Sequence, residues 1–340
     1  MSELYAALAT LDGDRRFDAI GAPPGRQLPA NCTPRPEWPS PPTNLGRHAV
    51  GLPLTLARGD YAAYHAPAYV APTWGRVPVV LSVHDISYAS RPEWYPYRRD
   101  RWRRWFYRHS IERARLIVVP STFTADEITR VYGVPSARLR LVPLAPAAMF
   151  HCDAPSGPER RSRVLLHVGD LHERRDLPVA LAVLRGLVVR EASPWRLVLV
   201  GRDAGSWAGV LAAATEAGVA DRVERVEAAS DQALREWYGR AWCLLYPSRY
   251  EGFGLPVAEA MAAGLPVVAA DAGSVPEVLS GAGALFASGD AVGARAAVDA
   301  LEDADAYRAT QARGIARAAA LTWARTADLT REVLDEAARA

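Results

Sequence analysis

Two carboxylates, Glu251 and Glu259, frame a short segment that carries Gly252, Gly254 and Pro256. The apolar run over residues 242–246 predicts a buried strand, which places Glu251 near its end. Pro256 suits a first helical position, so the glycine loop leads into a helix with Glu259 about one turn inside it. Gly264 is the expected stop, and residues 266–270 read as the next strand. Strand, glycine loop, helix and strand in that order present backbone N–H groups and a positive helix end to an anionic ligand. The carboxylates would repel a phosphate, so the chemistry assigned to them is accepting hydrogen bonds from sugar and ribose hydroxyls. Either glutamate alone is better read as a cap or a solvated side chain. The pair, with both glycines and Pro256 between, reverses that weighting.

The segment EGFGLPVAEAMAAGLPVVAADAGSVPEV, residues 251–278, resembles the two-glutamate donor-site motif of the family-4 glycosyltransferases, retaining enzymes of the GT-B fold. The resemblance implies that Glu251 approaches the donor sugar and that Glu259 binds the ribose hydroxyls. It also implies that backbone N–H groups around Phe253, Gly254 and Leu255 touch sugar or phosphate. A second segment, HVGDLHERRDL at 167–177, resembles the family's phosphate-binding turn, in which a glycine is followed by a lysine. Gly169 matches the glycine and Arg175 falls at the lysine. Arginine grips a diphosphate bidentately, so that exchange is chemically sensible. Asp170 departs from the arginine many members carry there, which leaves phosphate binding to Arg175 with Arg174. The plain alternative is a solvated helix start.

On the acceptor side, VLSVHDISYASRPEWYP at 80–96 is similar to the family's acceptor strand and loop. His84 matches the histidine that lies over the donor sugar, where a neutral imidazole would order the reactants. Without the family it would read as a satisfied strand-end histidine. Asp85 either orients His84 or caps the next loop, and His65 is a weaker candidate for the same cleft.

These groups need elements to hold them. Helix is expected at 1–11 and strand at 17–20. Residues 22–43, with eight prolines, read as an irregular surface loop. Strands follow at 61–65, 78–84, 115–120 and 139–143, with a helix capped by Ser121 before the last of these. The second half repeats strand and helix: strand 164–168, helix 177–189, strand 196–200 and helix 231–240. Alternation of this kind argues an α/β chain with parallel sheets. The expected organisation is GT-B: two Rossmann-like domains facing across a cleft. The N-terminal, acceptor-side domain takes residues 1–148 and a crossover helix at 323–340. The C-terminal, nucleotide-sugar domain takes 149–322. By resemblance the N-terminal domain lacks its first strand and glycine-rich loop.

The helix expected within 97–115 mixes arginine with aromatic residues. Trp102, Trp105, Phe106 and His109 fall at helical spacing and are expected to face the core. Arg98, Arg99, Arg101, Arg103, Arg104 and Arg108 are then outward, either as a solvated face or as a contact for anionic lipid headgroups.

Composition sets the bounds. At 340 residues, half of them hydrophobic, the chain is long enough for two cores. A net charge of +2 argues against a general nucleic-acid binder. Every basic residue is arginine, which with abundant alanine points to a GC-rich bacterial genome. No apolar run reaches membrane-spanning length. Cys32, Cys152 and Cys243 are scattered without metal spacing, so a reducing cytoplasm is expected. Polysaccharide or glycolipid assembly, which the resemblance implies, adds peripheral attachment to the inner membrane face as an expectation. The expected function is retaining transfer of a mannose- or glucose-type sugar from a nucleotide-diphosphate donor to a glycan or lipid-linked acceptor. GDP-mannose is the first donor, UDP-sugars are the alternative, and no metal cofactor is expected. No well-placed carboxylate nucleophile is evident, so the resemblance implies front-face displacement. Two other classes stay open: a sugar-nucleotide epimerase or hydrolase, and a truncated, non-catalytic sugar-nucleotide binder.

Overall fold

The computed structural model describes residues 2–11, 16–22, 28, 32–95, 100–152, 155–188 and 194–339. The chain divides into two units, Met1–Leu144 with Trp323–Ala340, and Ala145–Thr322.

In the first unit, β1 (Phe17–Ile20) and β2 (Cys32–Arg35) form a two-stranded parallel sheet of their own. A second sheet holds β3 (Tyr64–Ala66), β4 (Val79–Ser82), β5 (Leu116–Val119) and β6 (Leu139–Leu141), parallel and in chain order. Val79, Leu81, Ile117 and Val119 face one apolar layer with Ile111 and Ile128. Val80, Leu116 and Val118 face another with Val333 and Ala337 of the terminal helix Trp323–Arg339. Side chains alternate across a strand, so burial on both faces explains the unbroken apolar runs of β4 and β5. Ser121 caps the helix Thr122–Tyr132 by accepting the Thr124 N–H at 3.1 Å, and Gly133 closes it in the left-handed region. The terminal helix is tied to this unit by Thr326, whose hydroxyl donates to Pro143 O at 2.7 Å, and by an Arg140–Glu336 ion pair.

Two expectations fail here. Residues 22–43 are not wholly irregular, because β2 lies inside them with Pro34 opposite Ala19. Proline removes a donor, and an edge strand of a two-stranded ribbon tolerates that loss. Trp102 and Trp105 are exposed by 76% and 45% rather than turned to the core. The buried face of the helix Arg101–Arg113 instead runs through Ser110 and Ile111, and both tryptophans fall on the opposite side. Arg98 and Arg99 lie outside the described residues.

The second unit is one parallel sheet of six strands: β7 (Val164–Val168), β8 (Arg196–Val200), β9 (Val223–Val226), β10 (Cys243–Tyr246), β11 (Val267–Asp271) and β12 (Ala284–Ala287). Their spatial order is β12-β11-β10-β7-β8-β9. The chain builds outward from β7 through β8 and β9, then returns to the other side of β7 to lay down β10. The switch between β7 and β10 leaves a crevice beyond their carboxyl ends, where such sheets bind ligands. Helices Leu177–Val188 and Ala291–Ala300 supply Leu181, Leu184 and Val298 to the core on one side.

Candidate active site

The loops at that crevice carry the residues singled out in the second half of the sequence. After β7 the chain turns at Gly169, whose φ of +138° favours glycine. The positive φ coincides with close packing, since a Cβ at Gly169 would stand 2.7 Å from the Arg175 guanidinium. Residues 172–175 form a tight turn that delivers Arg174 and Arg175 ahead of the helix Leu177–Val188. After β10 the loop 247–250 is fastened to this turn. Arg249 N–H donates to Arg174 O at 2.8 Å, and the Arg249 guanidinium donates to Glu173 O at 3.0 Å. The loop then ends at Glu251, and Gly254, in the left-handed region at φ +89°, opens the helix Leu255–Ala262.

Arg175 and Glu251 meet in a buried ion pair, each under a tenth exposed. Two further groups fix the glutamate: Tyr246 and Ser248 hydroxyls donate to the same Oε1 at 2.9 and 2.6 Å. The Tyr246 oxygen also accepts from Arg175 at 2.7 Å. Arg174 Nη1 stands 4.0 Å from the other carboxylate oxygen. Burial alone would raise the Glu251 carboxyl, but the charges of Arg175 and Arg174 and the two hydroxyl donors bring it below the ordinary range. Beneath them His167 is buried, stacked on Tyr246 at 5.6 Å, with Nδ1 3.3 Å from Leu245 O. Burial, reinforced by the Arg175 charge, lowers it to about 3, so it is neutral and adds no cation to the site. The turn after β11 closes over the back of Glu251: Ser274 donates both N–H and hydroxyl to Glu251 O at 3.1 and 3.0 Å.

Glu259 projects from the same helix, whose first turn has Pro256 without an N–H and Val257 donating to Gly254 O at 2.9 Å, which leaves the Leu255 N–H at the helix start outside the intrahelical pattern. Glu259 is half-buried, and Tyr238 donates its hydroxyl to Oε2 at 2.9 Å. Burial raises its carboxyl above the usual value, partly opposed by Tyr238. A carboxyl raised in the folded state favours folding at low pH, and that contribution is lost as pH rises through the folded value. Glu259→Gln is therefore expected to raise the thermal midpoint of the ligand-free protein at neutral pH and above. The gain should vanish under acid conditions, as scanning fluorimetry across a pH series will read; a midpoint lowered by the substitution at neutral pH refutes it.

Phe253 is buried beside Gly254, and Leu255 is half-buried. The Asp170 carboxylate is paired with Arg202, whose guanidinium reaches it at 2.8 Å. Tyr238, Tyr246, Ser248, His167 and Ser274 were not singled out from the sequence. Ser248 lies three residues before Glu251 and Ser274 falls within 251–278, but nothing in the pattern brought either of them to the glutamate.

In the first unit, His84, Asp85 and His65 gather at the carboxyl end of β4. His84 Nε2 lies 3.2 Å from Pro67 O, and burial lowers its pKa despite that contact and Asp85. Asp85 accepts from the Ser87 N–H and hydroxyl at 2.9 and 2.6 Å, so it fixes the following turn. His65 is bound on both ring nitrogens, to the Tyr5 hydroxyl at 3.1 Å and the Ser82 hydroxyl at 2.8 Å. Burial lowers it to about 4, and its hydrogen bonds make it a link between the first helix and the sheet.

Comparison with known proteins covers both units. The description "Glycosyltransferase Family 4" matches residues 8–145, and "Glycosyl transferases group 1" matches residues 162–303. The O-antigen chain mannosyltransferase B of Escherichia coli is 30% identical over 60% of this chain and 55% of its own length. The GDP-mannose:cellobiosyl-diphosphopolyprenol alpha-mannosyltransferase of Xanthomonas campestris is 28% identical over 59% of this chain and 51% of its own. The chain thus spans about half the length of these curated relatives. Among solved structures, sucrose-phosphate synthase from Thermosynechococcus elongatus superposes with a TM-score of 0.78 at 20% identity, covering 98% of this chain and 91% of that one. WaaG, a glycosyltransferase involved in lipopolysaccharide biosynthesis, gives 0.73 at 17% identity, covering 98% and 94%. These likenesses, with the parallel sheets of both units, show the GT-B fold.

Proposed function

This chain belongs to the family-4 glycosyltransferases, and we propose that it transfers mannose, with retention of configuration, from GDP-mannose to a glycan or lipid-linked acceptor. One observation carries the reading: Arg175 and Glu251 pair across the loops that follow β7 and β10, where the strand order of the second unit's sheet reverses, and Glu259 stands on the helix that continues the second loop. In this reading Arg174 and Arg175, with the start of the helix Leu255–Ala262, take the donor diphosphate and stabilise the charge left as the glycosidic bond breaks. That assignment gives the cationic work to side chains and a helix end, so the transfer is proposed to be metal-independent. Glu251 accepts a hydrogen bond from the sugar, and Glu259 accepts from the ribose hydroxyls. His84 is proposed to act on transfer from the acceptor side, neutral because burial lowers its pKa. Support for mannose comes from the names of the two curated relatives, both mannosyltransferases.

The ion pair gives this proposal a definite sequence. Arg175 is occupied by Glu251 without donor, so an incoming diphosphate offers the guanidinium a second anion and loosens its hold on the glutamate. Glu251 then turns a lone pair to the sugar while Tyr246 and Ser248 still hold the other side of its carboxylate.

The test is calorimetric titration of GDP-mannose, UDP-glucose and UDP-N-acetylglucosamine into wild type and Glu259→Ala. Loss of a charge-assisted acceptor for ribose, at about 1.5–3 kcal/mol, corresponds to roughly ten- to hundredfold weaker binding of the preferred donor. GDP-mannose bound selectively by wild type and weakly by the variant supports the proposal. Selective binding of a UDP-sugar refutes the mannose assignment, and binding untouched by the substitution refutes the role of Glu259.

A further inference from the structure

We infer that the outer face of the helix Arg101–Arg113, with the loop that carries Trp74, is a docking surface for an anionic lipid bilayer. The helix is anchored through its second half, where Ser110 and Ile111 are buried and Tyr107 packs on Tyr88 at 4.5 Å, while residues 101–105 are all exposed. Trp102 and Trp105 lie on the side away from that anchor, exposed by 76% and 45%. A solvated helix face has no use for two indoles, since their apolar rings gain nothing from water.

The tryptophans belong to an ordered aromatic surface. Trp102 meets Trp105 edge to face at 6.4 Å, and Trp105 stacks on His109 at 4.9 Å. His109 Nε2 lies 2.9 Å from Thr73 O, which brings Trp74, itself 45% exposed, beside the helix. Trp74 is held in turn by its indole N–H, which donates to Ala49 O at 2.8 Å. Phe106 continues the row to His48 at 6.0 Å. Trp105 and Trp74 are therefore braced from behind, and burying those two rings in a bilayer interface costs little side-chain freedom.

Charge selects the partner. Within Arg101–Arg113 there are five arginines against the single carboxylate of Glu112, a net of +4. Arg101, Arg104 and Arg108 are exposed at helical spacing, flanking the tryptophan row along one side. Indoles at headgroup depth beside guanidiniums that reach phosphate make the pattern of an interfacial helix on an anionic leaflet. Nucleic acid would use the arginines but leave Trp102 idle, and a second copy of this chain would bring the same positive charge to meet itself. The surface lies wholly in the first unit and is read out without donor, so its failure leaves the donor assignment standing.

The experiment is co-sedimentation of the full chain with vesicles of phosphatidylcholine alone and with one quarter phosphatidylglycerol. The expected result is pelleting with the anionic vesicles, released by high salt, and little with the neutral ones. Trp102→Ser should weaken it about tenfold. Replacing Arg101, Arg104 and Arg108 together with glutamine should weaken it about a hundredfold, at roughly fivefold per arginine. Because these side chains are exposed, both variants should keep the wild-type thermal midpoint, which separates lost docking from lost folding. No preference for anionic vesicles overturns the proposal. So does vesicle binding indifferent to Trp102→Ser, which would leave a surface of charge alone, and so does a dimer that Trp102→Ser dissolves without any vesicle binding in the wild type.

Discussion

Replacing Glu251 with alanine is expected to destabilise the second unit by about 3–5 kcal/mol, because it leaves the Arg175 guanidinium buried without its counter-charge. The remaining contacts of Arg175, to the Tyr246 oxygen at 2.7 Å and Asp170 O at 3.4 Å, are neutral acceptors and do not replace a carboxylate. Arg175→Met together with Glu251→Leu removes both charges at similar volume, so the double variant should recover most of the midpoint lost by the single one. It should not recover donor binding or transfer, since the residues proposed to take the diphosphate and the sugar are both gone. Chemical denaturation and donor titration on the three proteins read the two effects separately. A single variant as stable as wild type would show that the pair is not buried in solution; a double variant that transfers sugar would remove both residues from the site. The pH dependence has a definite sign. The Glu251 carboxyl is depressed in the folded state, so its contribution is present above the unfolded pKa and lost as pH falls through the folded value.

That a pair this decisive was not legible in the sequence has a physical cause. The residues 251–278 announced two glutamates, their glycines and a helix between two strands, because those features are contiguous and each follows from local rules of backbone freedom and helix termination. Strands β7 and β8 were likewise readable from unbroken apolar runs, and the helix Asp231–Arg240 stands where it was expected, although its Ser230 cap was not read. The pairing of Glu251 with Arg175 joins two loops that meet only because β10 returns beside β7, and strand order is invisible to periodicity. Tyr238 reaching Glu259 is the same case on a smaller scale: a helix that read as merely charged supplies the hydroxyl that holds the Glu259 carboxylate. The tryptophans of Arg101–Arg113 failed for a different reason. Helical spacing shows that Trp102, Trp105 and His109 share a side, but not whether that side meets the core, and the answer came from where Ser110 and Ile111 are buried. Pro34 misled because its rule concerns central strands, and β2 pairs on one side only.

Gly273→Ala is the substitution expected to damage the site most while touching no ligand. Gly273 holds φ at +61°, and a Cβ there would stand 2.7 Å from Glu251 N and 2.9 Å from Glu251 O. Both are backbone atoms, so no rotamer change relieves the contact and one of the two loops must move. The left-handed conformation alone costs an alanine about 1–2 kcal/mol. The displacement matters more, because Ser274 beside it donates twice to Glu251 O and thereby sets the height of the glutamate above β10. A shift of about 1 Å in a reacting group is enough to cost roughly a hundredfold in rate. The expected result is a kcat lowered about a hundredfold with a modest loss of stability, while donor affinity changes little because Glu259, proposed to hold the ribose, is not displaced. Ser274→Ala supplies the contrast: it removes the hydroxyl donor, keeps the N–H donor and adds no atom, so its kcat should stay within about tenfold of wild type. If Gly273→Ala turns over at the wild-type rate, the turn after β11 does not position Glu251. If it loses donor binding in step with kcat, the turn acts on the whole crevice, and Glu251 has no separate part in the chemical step.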